Sequence, residues 1–137
     1  FHALLAEEFV LVVAPRWADR LPPAGELTPE ALSNVPLLAF ADDLPIVRRF
    51  FRTVLGTRLT IHAALTLPDL RGLAAAVAAG AGYSVLPHYL CRDAIAAGKL
   101  TRLFPDVPGP TNTLYLAVRP EMMRDSRVRS VREKLIR

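Results

Sequence analysis

Asp42 and Asp43, side by side in Phe40-Ala-Asp-Asp-Leu-Pro-Ile46, are the side chains of this sequence with the clearest capacity to meet a ligand. They follow a short apolar run, Leu37 to Phe40, and precede a helix opening near Leu44-Pro45. That order puts them at the carboxyl end of a strand, where open α/β sheets collect ligand groups. An aspartate just ahead of a helix is also a good N-cap, so one of the pair is expected to serve the helix and the other to face outward. Two neighbouring carboxylates repel an anion at close range and suit an amine, a guanidinium or a hydroxylated neutral molecule.

The other reactive residue types do not assemble into a reaction centre. His88 follows Pro87 at the end of a second apolar run and reads either as a helix start or as a ligand contact. His2 and His62 lie on separate segments, His62 at an alternating position of an expected strand, without metal-ligand spacing. A structural zinc would also want thiolates, and Cys91 is the sole cysteine, read as a small buried apolar residue. Ser84 lacks the Gly-x-Ser-x-Gly elbow of a hydrolase nucleophile. Gly80 and Gly82 suggest a dinucleotide fingerprint, but Val85 occupies its third glycine position and these glycines follow a helix instead of opening one. The expectation is a binding protein with no catalytic residue, no metal and no cofactor.

The elements that must position these residues are legible as alternating strands and helices. Leu67 to Pro87 is the clearest stretch. Pro68 and Asp69 suit a helix start, and Leu70, Leu73, Ala74, Val77 and Ala78 recur at helical spacing. Gly80 supplies a stop and Gly82 a turn into the strand Tyr83 to Leu86. Phe9 to Ala14 is a continuous apolar run rich in β-branched valine, as expected of a strand covered on both faces. Pro15 to Glu26 reads as a loop, and Thr28-Pro29-Glu30 as the start of a short helix that ends near Asn34. Leu44 to Leu55 carries Ile46, Val47, Phe50, Phe51, Val54 and Leu55 on one face, with Arg48, Arg49 and Arg52 on the other. Leu59 to Thr66 and Thr113 to Val118 read as strands, and Arg124 to Ile136 as a helix striped by Val128, Val131 and Leu135. Val10, Val12, Leu38, Val77, Val85 and Leu86 are expected in one core.

Several of these segments, in their order, resemble one family. Val77-Ala-Ala-Gly-Ala-Gly82 running into Leu86-Pro87 is similar to the effector-binding domain of LysR-type transcriptional regulators. Glu7 to Pro15, Leu37 to Phe40, Ala94 to Leu103 and Leu114 to Val118 resemble that domain's successive elements, so nearly all the chain is covered. The resemblance implies an α/β, periplasmic-binding-protein-like (type 2) two-lobe architecture. On that reading residues 1–113 form the second lobe, and 114–137 are a return strand and terminal helix belonging to the first. The chain is then a partial one, without the winged helix-turn-helix through which such proteins touch DNA. The implied function is to bind a small-molecule effector between lobes and so modulate DNA binding by a homodimer or homotetramer in the cytoplasm. The effector site implied by this resemblance comprises Phe40, Asp42, Asp43, Leu44, Ile46, Thr66, Leu67, Pro87 and His88. The alternative is a periplasmic solute-binding protein of an uptake system, which shares the two lobes.

Composition bounds these readings. The chain has 137 residues, 52% of them hydrophobic, enough for one core, and no apolar run approaches the ~18 residues of a membrane span. A single cysteine excludes an internal disulfide and fits a reducing compartment. The net charge of +4 and pI near 9.8 would admit nucleic acid. However, the arginines are scattered, with no aromatic platform or basic run, so direct DNA contact is not expected of these residues.

Overall fold

Phe9-Val-Leu-Val-Val13 has no polar side chain to give to solvent, and the protein uses it as the central strand of a sheet. The computed structural model describes residues 1–42 and 44–136. Its strands are β1 (His2–Val13), β2 (Leu38–Ala39), β3 (Leu65–Thr66), β4 (Tyr83–Pro87), β5 (Thr101–Leu103) and β6 (Thr111–Leu116). The helices are α1 (Pro15–Ala18), α2 (Pro29–Leu32), α3 (Pro45–Val54), α4 (Leu70–Ala78), α5 (His88–Ala96) and α6 (Ser126–Ile136). Two compact units result: Glu8–Pro110, and Phe1–Glu7 with Thr111–Arg137.

In the larger unit β1 lies between β4 and β5 and is antiparallel to both, with Val10 opposite Leu86 and Leu11 opposite Val85 and Leu103. β2 and β3 are parallel, pairing Leu38 with Leu65 and Ala39 with Thr66. A parallel bridge from Leu37 to Tyr83 sets β2 beside β4. The buried Ser84 hydroxyl donates to the Leu38 carbonyl at 2.7 Å and holds the two strands together. β2, β3 and β4 therefore share one direction, the two-stranded β2-β3 sheet continuing beside β4 of the larger sheet through that bridge.

Alternation along these strands builds two cores. Phe9, Leu11, Val13, Tyr83 and Val85 face one way, toward α3 and its Val47, Phe50 and Phe51. Val10, Val12 and Leu86 face the other, where Leu73 and Val77 of α4 and Cys91 of α5 cover them. The expectation of a single core is thus corrected at Val85: all six residues named from the sequence are buried, but Val85 points to the opposite face from Leu86, as a period of two requires. Fully burying each such side chain contributes about 1.5–3 kcal/mol.

Local signals end the helices where the sequence says they should. Asp69 accepts from the Arg71 N–H at 3.1 Å, and Thr28 from the Ala31 N–H at 3.3 Å. Gly80 closes α4 at φ +95°, its N–H bonded to Val77 O and that of Ala81 to Ala76 O, a Schellman pair. Gly82 leads directly into β4, and it has a further role: a Cβ there would collide with the Pro36 carbonyl oxygen, so its hydrogen lets two backbones touch. Ala78 is exposed, so the α4 stripe ends at Val77.

Two segments depart from expectation. Pro15 to Glu26 contains α1 and a 3-10 turn at Ala24–Glu26. From α1, the Arg16 guanidinium donates to Ala79 O and the Trp17 indole N–H to Gly80 O, so the short helix closes over the carbonyl end of α4. Residues 59–64, expected as strand, are irregular. Leu59 and Ile61 still pack on the core, but bonding toward β2 begins only where the Ala64 N–H reaches Leu37 O at 2.7 Å.

The smaller unit consists of the first residues of β1, β6 paired with β1, a 3-10 turn at Pro120–Arg124, and α6. None of its described residues is buried. Val131 and Leu135, two of the three residues of the expected α6 stripe, are 57% and 50% exposed.

Candidate functional site

Because β2, β3 and β4 share a direction, the segments leaving their carboxyl ends emerge at one end of the sheet. These are Phe40 to Ile46, Thr66-Leu67 and Pro87-His88. The Thr66 hydroxyl donates to Asp42 Oδ1 at 2.8 Å, joining the first two across 24 positions of sequence. Both side chains are exposed. The bond engages Oδ1 of the Asp42 carboxylate.

Around this pair the nine expected site residues divide by exposure. Phe40 presents a half-exposed ring, Ile46 and Leu67 are partly covered, and Leu44 and Pro87 are buried, so the last two support the site without facing solvent. His88 is the first residue of α5 and half-buried. Asp43 lies outside the described residues. The cap position of α3 is taken by Leu44, in the left-handed region at φ +52°, with no side-chain capping bond. Asp42 is therefore not the N-cap of that helix. His62 sits exposed in the irregular segment 59–64, not on a strand. Among the described residues no group of three or more His, Cys, Asp or Glu is placed to hold a metal ion.

One contributor escaped the sequence reading. Ser84, weighed there only as a nucleophile, anchors β2 to β4 and so sets where Phe40 and Asp42 emerge. The available signal was a lone hydroxyl inside an otherwise apolar strand, which must find a partner when buried.

A mixed sheet covered by helices on both faces, with its parallel strands opening into loops at one end, is the build of a periplasmic-binding-protein-like (type 2) lobe. The model of the LysR substrate binding domain matches residues 1–137. The chain belongs to that family. It is 37% identical over 121 residues to the HTH-type transcriptional regulator AbaB of Streptomyces antibioticus, covering 85% of this chain and 39% of that protein. The chain thus spans about two-fifths of the length of this curated relative. The C-terminal domains of a LysR family protein from Agrobacterium tumefaciens superpose with a TM-score of 0.82 at 26% identity, over 98% of this chain and 62% of that one. The regulatory domain of CrgA from Neisseria meningitidis shares the fold, with a TM-score of 0.70 at 21% identity over 98% and 66% of the two chains. These matches favour the regulator over the periplasmic solute-binding protein, and the family is one of transcriptional regulators, not of enzymes. Among the described residues no helix is long and apolar enough to cross a membrane.

Proposed function

We propose that this chain is the effector-sensing part of a LysR-type transcriptional regulator and that Asp42, oriented by Thr66, is its polar contact with the effector. The observation that carries this is the 2.8 Å Thr66–Asp42 bond at the carboxyl ends of paired parallel strands. A carboxylate held there favours an amine, a guanidinium or a polyol over a carboxylic acid. Phe40, Ile46 and Leu67 supply the apolar rim, Asp43 and His88 complete the proposed contacts, and Leu44 and Pro87 hold the backbone.

In the whole protein, unit 8–110 acts as the second lobe, and 1–7 with 111–137 belongs to the first. Effector binding shifts the balance between lobe arrangements, and a homodimer or homotetramer in the cytoplasm transmits this to a winged helix-turn-helix on DNA. No catalytic step, metal or cofactor enters this reading. The exposed apolar residues of the smaller unit, Leu114, Tyr115 and Leu135 among them, support an assembly with a second copy.

Titration calorimetry with a panel of amines, guanidines and polyols, set against matched carboxylic acids, tests the polarity. A hit should be weakened roughly ten- to a hundredfold by Asp42→Ala, the loss of one charge-assisted bond, with the melting temperature unchanged. Thr66→Val should weaken it less. Equal binding by Asp42→Ala, or a panel answered only by carboxylic acids, would overturn the assignment.

A further inference from the structure

The protein's positive charge has an address. Residues 44–68 contain four arginines and no acidic residue, whereas the rest of the chain carries thirteen basic and thirteen acidic side chains. The entire net charge of +4 therefore resides in α3 and the segment after it. Val47, Phe50 and Phe51 turn the apolar face of α3 into the core, which sends Arg48 and Arg52 outward one turn apart. Gly56, at φ +64°, then reverses the chain, and the Thr57 N–H returns to Phe51 O at 3.2 Å. The reversal delivers Arg58 to the same place.

The result is a hollow of about 480 Å³ lined by Arg48, Arg52, Gly56, Thr57, Arg58 and Leu59, with no carboxylate among the described residues of its wall. Complementing the negative end of the α3 dipole accounts for Arg52 in the last turn. It does not account for Arg58, which lies beyond the helix. Arg48 has a partner of its own, so the weight falls on Arg52 and Arg58. Two planar guanidinium forks beside a threonine hydroxyl and a side-chain-free glycine match a tetrahedral oxyanion, which accepts bidentate bonds.

We propose that this hollow binds a phosphate group carried by a small molecule. A concave site suits a compact anion, whereas a duplex would ask for contacts spread along a surface. The site goes beyond the effector reading: α3 has ten residues, which at the usual rise separates its two ends by about 15 Å, and Asp42 stands at the other end.

The test titrates the 137-residue chain with inorganic phosphate, following backbone amide shifts, at ionic strength held constant with chloride. The expected result is saturable shifts at Gly56, Thr57 and Arg58, weakened at least about tenfold in R52A/R58A, with thermal unfolding in phosphate-free buffer unchanged. R58A alone, outside the helix, should show a loss of about threefold or more and carries the test if the double variant does not fold. R52K/R58K, which keeps the charge but loses the forks, should fall between. Equal phosphate shifts in the parent and R58A, or the same shifts from chloride alone, would overturn the proposal. Displacement of phosphate by random duplex DNA at far lower nucleotide concentration, lost in R58A, would overturn the small-molecule assignment in favour of a nucleic-acid surface. Loss of Asp42-dependent binding leaves these outcomes untouched, so the two readings fail separately.

Discussion

The two compact units answer the same physical problem differently. Every buried hydrophobic residue described lies between Phe9 and Phe104 in the larger unit, which covers both faces of its sheet. In the smaller unit Leu4, Leu5, Leu114, Tyr115, Met122, Val131 and Leu135 are all exposed by more than a third. The helices make the contrast sharp. α4 and α6 both carry apolar residues at helical spacing, yet Leu73 and Val77 of α4 are buried while Val131 and Leu135 of α6 face outward. Periodicity tells which face of a helix is apolar, and the rest of the chain decides whether that face is covered.

The largest expected effect breaks or confirms this contrast directly. Leu73→Ala should destabilise the protein by about 2–5 kcal/mol, because it leaves a cavity in a sealed core, whereas Val131→Ala should stay within about 0.5 kcal/mol. Urea unfolding of both variants measures it. A Val131→Ala loss comparable to that of Leu73→Ala would show that the α6 face is covered in solution.

A second difference is in pH response. In the larger unit, burial pushes the Cys91 thiol up to about 11, from an ordinary value of 9.0. Between these values the folded state holds a proton that the unfolded state has released, so stability falls as pH rises through that window and is intact below it. Burial raises the Tyr83 phenol in the same direction, at higher pH. Urea midpoints should decline on the alkaline side, and Cys91→Ala should remove the earlier part of the decline. An unchanged alkaline profile in that variant would assign the loss to other groups.

The smallest effect belongs to the smaller unit. The Arg127 side chain, and then its backbone N–H, hold the Asp125 carboxyl below its usual 3.8 at the start of α6. The folded state here binds fewer protons, so the contribution is present above the ordinary aspartate value and is lost as pH falls through the lowered one. Acidification should fray α6 before it disturbs the core, a small change in helicity by circular dichroism that salt weakens. Asp125→Ala should abolish it. Acid sensitivity would then belong to one unit and alkaline sensitivity to the other, and loss of both at a single pH would contradict the division.

What the sequence revealed follows from how local each signal is. Asp69, Thr28 and Gly80 act within a few residues of themselves, and each does in the structure what its type and position imply. Pairing is not local. Residues 59–64 have the composition of a strand, but their bonding to β2 starts at Ala64, since β2 has only two residues to pair with. A continuously apolar strand also conceals which residues face which way, so Val85 and Leu86 looked equivalent until the register with β1 separated them. At the candidate site the carboxyl-end position of Asp42 could be read from the order of strand and helix. Its bond to Thr66 could not, because the two meet only once β2 and β3 align. The cap at Leu44 was hidden for another reason: a left-handed φ at a branched residue is imposed by packing, and Leu44 is 3% exposed.

Trp17 is the chain's sole tryptophan, and its indole N–H is bonded to Gly80 O at 2.7 Å with the Arg20 guanidinium 5.8 Å from its ring centroid. The protein therefore carries one intrinsic fluorophore, tied by a single hydrogen bond to the far end of the helix that covers the second core. Its emission is a site-specific signal: release of α1 from α4 wets the indole and reddens the spectrum. Excitation of tryptophan alone can thus time the opening of that junction against the loss of helical signal from the whole chain, with no label attached.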